Sequence, residues 1–188
     1  MKRVNIKKIT ISAILIALAL ALSVAERMLP IGALVPVPGI KLGLANIVTM
    51  LALFYIGMPG ALTILVARCL LGALFSGVTT LIFSLSGGLL ALFVMLLVMQ
   101  WLGRAFSIFG VSIAGAAAHN VGQILAASLF LGENLIYAYL PVLLITGIVT
   151  GVLTATAAGL LFGKLEKNGT ISRYFGGSVM RFSKGSSS

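Results

Sequence analysis

An arginine lies in the middle of a run that is otherwise apolar enough to cross a bilayer: Arg68, within Gly60–Gly77, GALTILVARCLLGALFSG. Placing a guanidinium near the centre of a membrane helix costs about 2.5–3.5 kcal/mol on insertion scales. Such a group needs a water-filled cavity, a partner or a ligand. A later apolar run carries His119, Asn120 and Gln123, which the i+3 and i+4 spacings set on roughly one helical face. Counted along helices that run from inside to outside, Arg68 and His119 each lie ~12 Å deep and Gln123 ~18 Å deep. Asn46 and Lys41 come earlier, nearer the outer surface. The chemistry open to these residues is recognition rather than bond breaking. A planar guanidinium binds a carboxylate or phosphate through two parallel hydrogen bonds, amides orient the rest, and a histidine can relay protons. Two readings stand. One is a solute site formed by Arg68, His119, Asn120 and Gln123, with Asn46 and Lys41 nearer its mouth. The other is a set of interhelical hydrogen bonds, each worth about 0.6 kcal/mol.

Only three acids are available to neutralise Arg68: Glu26, Glu133 and Glu166. Glu26 ends the first run ~26 Å from its inner start, and so ~14 Å above Arg68. Glu133 falls in an outer loop and Glu166 in the inner tail. Unless tilt, a cavity or a re-entrant loop brings Glu26 close, the guanidinium is hydrated, bonded to carbonyls, or awaiting an anion. The chain has one cysteine, Cys69, and one histidine, so no disulfide and no metal-ligand cluster is expected. No cofactor and no catalytic residue is expected either.

The elements that must hold these residues are membrane helices. Of the 188 residues, 60% are hydrophobic and 9% charged, against about 25% charged in a soluble domain. The apolar stretches are continuous rather than alternating, which points to helices and not to a barrel. The expected fold is an all-α membrane protein with six spans: Ile9–Arg27, Leu42–Ile56, Ala61–Phe75, Thr80–Leu102, Val111–Leu131 and Pro141–Gly163. Residues 1–8 form a basic N-terminus, 9–163 the membrane domain and 164–188 a basic tail, whose Gly185–Ser188 reads as a flexible, in part artificial, end. Ten Lys and Arg fall on the side of the termini, against Arg27 and Lys41 on the other. The positive-inside rule therefore places both termini in the cytoplasm. The net charge of +10 reads as these membrane flanks and not as a nucleic-acid surface. The expected location is a bacterial cytoplasmic membrane, crossed many times. Met28–Lys41, with Pro30, Pro36 and Pro38, cannot be an ordinary helix. It is either a lid over an outward cavity or a hydrophobic linker.

Small residues recur at every fourth position in three spans: Ala13, Ala17, Ala21; Gly110, Ala114, Ala118, Gly122, Ala126; and Gly147, Gly151, Ala155, Gly159, Gly163. That spacing keeps them on one face and lets backbones approach closely. For the last two stripes the reading is packing inside the bundle. The first is open between packing and a partner surface.

Three segments, PGIKLGLANIVT from Pro38, RCLLGALFSG from Arg68 and AHNVGQ from Ala118, resemble the Gx transporter family, often labelled heptaprenyl diphosphate synthase component I. The resemblance covers about Ile9 to Gly163. That family is similar to the substrate-binding S components of energy-coupling factor (ECF) transporters. The similarity implies a six-helix bundle that binds a vitamin-like solute near its outer side. It also implies a first-helix alanine motif, matched by Ala13, Ala17 and Ala21, that docks on a transmembrane coupling subunit working with ATPases. The synthase label implies instead an accessory role, since prenyl synthases hold diphosphate and magnesium through aspartates and this chain has none. No phosphate loop is present. The expectation is therefore a non-enzymatic uptake subunit for a small solute with an anionic or carbonyl group, energised by partners. The alternatives are an accessory subunit of polyprenyl or quinone synthesis, or a stand-alone carrier in which His119 couples protons.

Overall fold

The computed structural model describes residues 6–28, 40–102, 108–132 and 134–167. Most of the proline-bearing segment, the Arg104 loop, Glu133 and both basic ends lie outside the described residues. So do the lid-or-linker question and much of the charge bias used for orientation. Among the described residues there are six α-helices, one 3₁₀ turn and no strand. The helices are α1 (Ile6–Arg27), α2 (Asn46–Tyr55), α3 (Met58–Ser76), α4 (Val78–Leu102), α5 (Ile108–Leu131) and α6 (Leu140–Lys167), with the 3₁₀ turn at Asn134–Tyr139 before α6. Five of them are long and apolar enough to cross a membrane, so this is the architecture of a multi-pass membrane protein.

α2 is the exception. The second span, expected over Leu42–Ile56, is helical only from Asn46 to Tyr55, or ~15 Å of rise, half of what a bilayer core needs. Its start is set by Gly43, whose φ of 86° is open to glycine and strained for other residues. The chain leaves that turn through three short-range bonds, Asn46 N–H to Gly43 O, Ile47 N–H to Leu44 O and Val48 N–H to Ala45 O. Nine of the ten α2 residues are buried. A helix apolar on nearly all sides belongs inside a bundle, and α2 runs between α1, α3 and α4.

α3 begins at Met58, earlier than the expected Ala61, because Pro59 suits the first helical turn, where its missing N–H has no partner to lose. Gly77 alone separates α3 from α4. Arg27, ending α1, donates to the carbonyls of Gly72 and Phe75 and to Ser76 Oγ. It thus meets the Phe75 carbonyl that the end of α3 leaves open and adds to the Gly72 carbonyl, which also accepts from Ser76 Oγ, with a cation at the negative end of the helix.

α5 packs most extensively on α4 and α6. Its stripe is buried at Ala118, Gly122 and Ala126, and the facing α6 stripe at Gly147, Gly151 and Ala155. Ser112 of α5 ties the two helices, donating to Gly151 O at 2.8 Å and sharing a 2.6 Å bond with Thr154 Oγ1. The α1 stripe is different: Ala13, Ala17 and Ala21 are all exposed, and α1 turns Ala19, Ser23 and Glu26 inward instead.

Candidate functional site

Arg68 is buried, at 7% exposure, so its side chain faces the bundle and not the surface. Nη2 donates to Asn46 Oδ1 at 3.2 Å, joining α3 to the start of α2. Nε has no partner. Among the described residues no carboxylate comes within 4 Å of the guanidinium.

Gly43 is the hub of this region. A Cβ there would lie 2.7 Å from His119 Cδ2 and 2.9 Å from Asn46 Nδ2. The bare backbone at this point is what lets α2 and α5 present Asn46 and His119 on either side of it. From α4, Gly87 and Gly88 make the matching approach. A Cβ on Gly87 would sit 2.8 Å from His119 Nδ1, and one on Gly88 would sit 3.3 Å from Arg68 Nη2. His119 Nδ1 lies beside the Gly87 backbone without a hydrogen bond of acceptable geometry. Arg68, Asn46 and His119, from three helices, therefore gather around Gly43, Gly87 and Gly88. Asn46 Nδ2, Arg68 Nε and His119 Nδ1 are buried polar atoms without partners, as are Thr49 Oγ1, one turn along α2 from Asn46, and Ser84 Oγ, one turn before Gly87 and Gly88. Unpaired groups of this kind ordinarily cost about 1–3 kcal/mol each, so native proteins keep few of them.

Glu26 joins this region, although counting helical rise places it ~14 Å above Arg68. It is 1% exposed, and its carboxylate accepts the N–H of Gly43. Both Lys41 and Arg68 are within its electrostatic reach. The link is made by residues 40–45, which are not helical: they fold in between α1 and α5 and bring Gly43 to the carboxylate, the kind of re-entrant approach that depth counting leaves open. The described end of the proline-bearing segment is thus anchored on the polar interior.

Gln123 also has a definite assignment. Its side chain clamps the Lys41 backbone, Oε1 accepting from Lys41 N–H at 2.8 Å and Nε2 donating to Lys41 O at 2.7 Å. With both amide atoms engaged and no exposure, Gln123 positions the segment leading to Gly43. Lys41 is half-buried. Burial pulls its ammonium below the ordinary value of 10.5; Glu26 opposes the shift, while Arg27 and Arg68 add to it. Asn120 stands apart. Its Nδ2 donates to Leu143 O, and a Cβ on Gly147 of α6 would lie 2.7 Å from that nitrogen. It faces α6, while His119 and Gln123 face Gly87 of α4. The expected single face for His119, Asn120 and Gln123 is corrected here: adjacent helical residues point about 100° apart.

Gly43 and the Gly87-Gly88 pair have no role in the sequence reading, and Glu26 enters it only as an acid that a re-entrant segment could bring close. The pair did leave a signal, since Ser84-Leu85-Ser86-Gly87-Gly88 interrupts an otherwise bulky apolar helix, and glycine within a membrane helix marks close approach. Among the described residues no three His, Cys, Asp or Glu side chains come together as a metal site.

Residues 15–161 match the family described as heptaprenyl diphosphate synthase component I. The chain belongs to that family. The match takes in α2 to α5 whole, with Glu26, Gly43, Arg68, Gly87 and His119 all inside it. No curated protein and no solved structure matches the chain.

Proposed function

We propose that this family member is the substrate-binding membrane subunit of an uptake system for a small, vitamin- or cofactor-precursor-like solute with an anionic or carbonyl group. The observation that carries this reading is the buried, unpartnered Nε–H of Arg68, in one cluster with the unpartnered amide nitrogen of Asn46 and Nδ1 of His119. A bundle that needed only packing would fill these positions with apolar side chains at less cost. Solute enters from outside past residues 40–45, and Arg68 takes its polar end, with Asn46 and His119 flanking. The exposed alanines of α1 suit close approach by a partner helix, in this reading an ECF-type coupling subunit that works with ATPases. Lys41 and Gln123 shape the surroundings of the site, and Asn120 ties α5 to α6 beside it. The fold works with six helices crossing or entering the bacterial cytoplasmic membrane and both termini inside; the protein itself performs no chemistry.

Arg68→Ala tests this directly. Native mass spectrometry is expected to find a retained small molecule on the wild type and none on the variant extracted as folded protein. Unchanged retention by the variant removes the centre of the proposal. The family description favours a second reading, an accessory membrane subunit beside a soluble prenyl synthase. Co-purification with such an enzyme, and not with an ATPase pair, would decide for that role.

A further inference from the structure

The charges around Arg68 do not balance, and the imbalance narrows the class of ligand. Two cations, Arg68 and Lys41, and one anion, Glu26, are within electrostatic reach of one another. Arg27 is exposed and engaged at the end of α3, so its charge is solvated and adds no buried charge to this count. Residues 29–39 contain no ionisable side chain. With all three groups at their ordinary charges, one positive charge is left over among the described residues, on groups that are wholly or partly out of water. Buried charge of this kind is stable only when paired.

The free donors have a particular shape. On Arg68, Nε–H is unpartnered, and Nη2 carries two N–H groups of which one goes to Asn46. Nε and Nη2 form the side-on fork that matches the two oxygens of a carboxylate in one plane. Asn46 Nδ2, also unpartnered, is held next to that fork by its own Oδ1. Resting on the solute-binding reading above, we infer that the site takes a solute through one singly charged carboxylate, bound side-on by Arg68 with Asn46 beside it. A neutral carbonyl leaves the surplus charge unmet. A phosphate monoester or a diphosphate brings more negative charge than the described groups balance.

Asn46→Asp makes the charge argument testable with almost no change of shape. It supplies Arg68 with an internal carboxylate, cancels the surplus and turns the neighbouring donor into an acceptor. The full-length protein in detergent is tested with hexanoate, hexanamide and hexyl phosphate, which share one alkyl body, and binding is read as a rise in the thermal unfolding midpoint. In parallel, the molecule retained by the wild type is released and fragmented. The expected result is a retained molecule with a carboxylate and no phosphorus. Hexanoate should stabilise the wild type above the other two, with affinity falling about tenfold to a hundredfold in Asn46→Asp. A phosphorus-bearing or neutral retained molecule, or a preference for hexyl phosphate or hexanamide, overturns the carboxylate assignment and leaves solute binding standing. Hexanoate affinity unaltered by Asn46→Asp overturns it too. Nothing retained, together with no response to any of the three probes, overturns both.

Discussion

The alanine stripe of α1 and the glycine stripe of α6 share a four-residue spacing and have opposite surroundings. Gly147, Gly151 and Ala155 are buried against α5, where a Cβ on Gly151 would lie 2.8 Å from Ile113 Cα. Ala13, Ala17 and Ala21 are exposed. The difference lies in the company each stripe keeps. Beside the α6 stripe are Thr150 and Thr154, both buried, whose hydroxyls bond to backbone carbonyls one turn back. At the matching positions before Ala17 and Ala21, α1 has Ile16 and Leu20, half-buried and without a hydroxyl; the residues after the stripes, Ile14 and Leu18 in α1 and Ile148 and Val152 in α6, are exposed aliphatics in both. α1 buries its opposite side, where Glu26 reaches Gly43. Spacing alone says that close approach is possible; the flanking residues say against what.

The largest effect is expected where a buried stripe meets backbone. A Cβ on Gly122 would lie 2.9 Å from Gly87 Cα and 2.9 Å from Ser86 O. Neither atom can rotate away, so α4 and α5 would have to separate and carry Gly87 off His119. Gly122→Leu is expected to destabilise by about 3 kcal/mol or more, since overpacking a close-fitted contact commonly costs about 1–3 kcal/mol even for smaller additions. The thermal midpoint in detergent measures it. A midpoint equal to that of the wild type would refute the α4–α5 approach.

Next in size is the clamp on Lys41. Gln123→Ala removes two hydrogen bonds and leaves a backbone N–H and C=O without partners, an expected loss of about 2 kcal/mol. Hydrogen exchange at the Lys41 amide should accelerate while amides of α3 and α6 stay protected. Uniform acceleration would mean that Gln123 supports the whole bundle and not this segment.

A smaller effect should appear in the pH dependence. Burial depresses the Lys41 pKa in the folded protein, so between that value and 10.5 the unfolded chain holds a proton that the folded chain has released. Stability then rises with pH across this window. Lys41→Met is expected to be more stable than wild type at neutral pH, with an advantage that shrinks as pH rises towards the unfolded value. An advantage that is flat or grows with pH would show that Lys41 is not held at a cost in its charged form.

Some of this was legible in the sequence and some was not. Arg68 announces itself, because a guanidinium in an apolar run has few cheap places to go, and burial in the bundle is where it lies. The long helices follow from continuous apolar runs. Asn120 was misplaced because a one-residue step turns a side chain by about 100°, and three residues assigned to one face diverge to α4 and α6. Depth counting along α1 and α3 sets Glu26 above Arg68 and is silent on residues 40–45, which fold inward without helix and carry Gly43 to the Glu26 carboxylate. The cue lay in Gly43, four residues after Gly39 in PGIKLG. Its positive φ depends on tertiary packing that pattern reading does not supply.

The smallest expected effect on the fold is at Ala17, and it sharpens the comparison most. Ala17 is exposed on α1, so a larger side chain is directed away from the other helices among the described residues, and leucine ranks just below alanine as a helix former. Ala17→Leu should change stability by no more than about 0.5 kcal/mol, while the chemically similar enlargement at Gly122 unfolds the contact it enters. If a partner helix lies on this stripe, as the uptake reading requires, the same leucine holds it away, since small residues are what allow membrane helices to approach closely. The discriminating pair of measurements is the thermal midpoint of the isolated protein and the recovery of co-purifying membrane subunits. An unchanged midpoint with lost recovery makes the stripe an interface. A lowered midpoint would mean that α1 already packs its alanines within the bundle, and the contrast with α6 would then disappear.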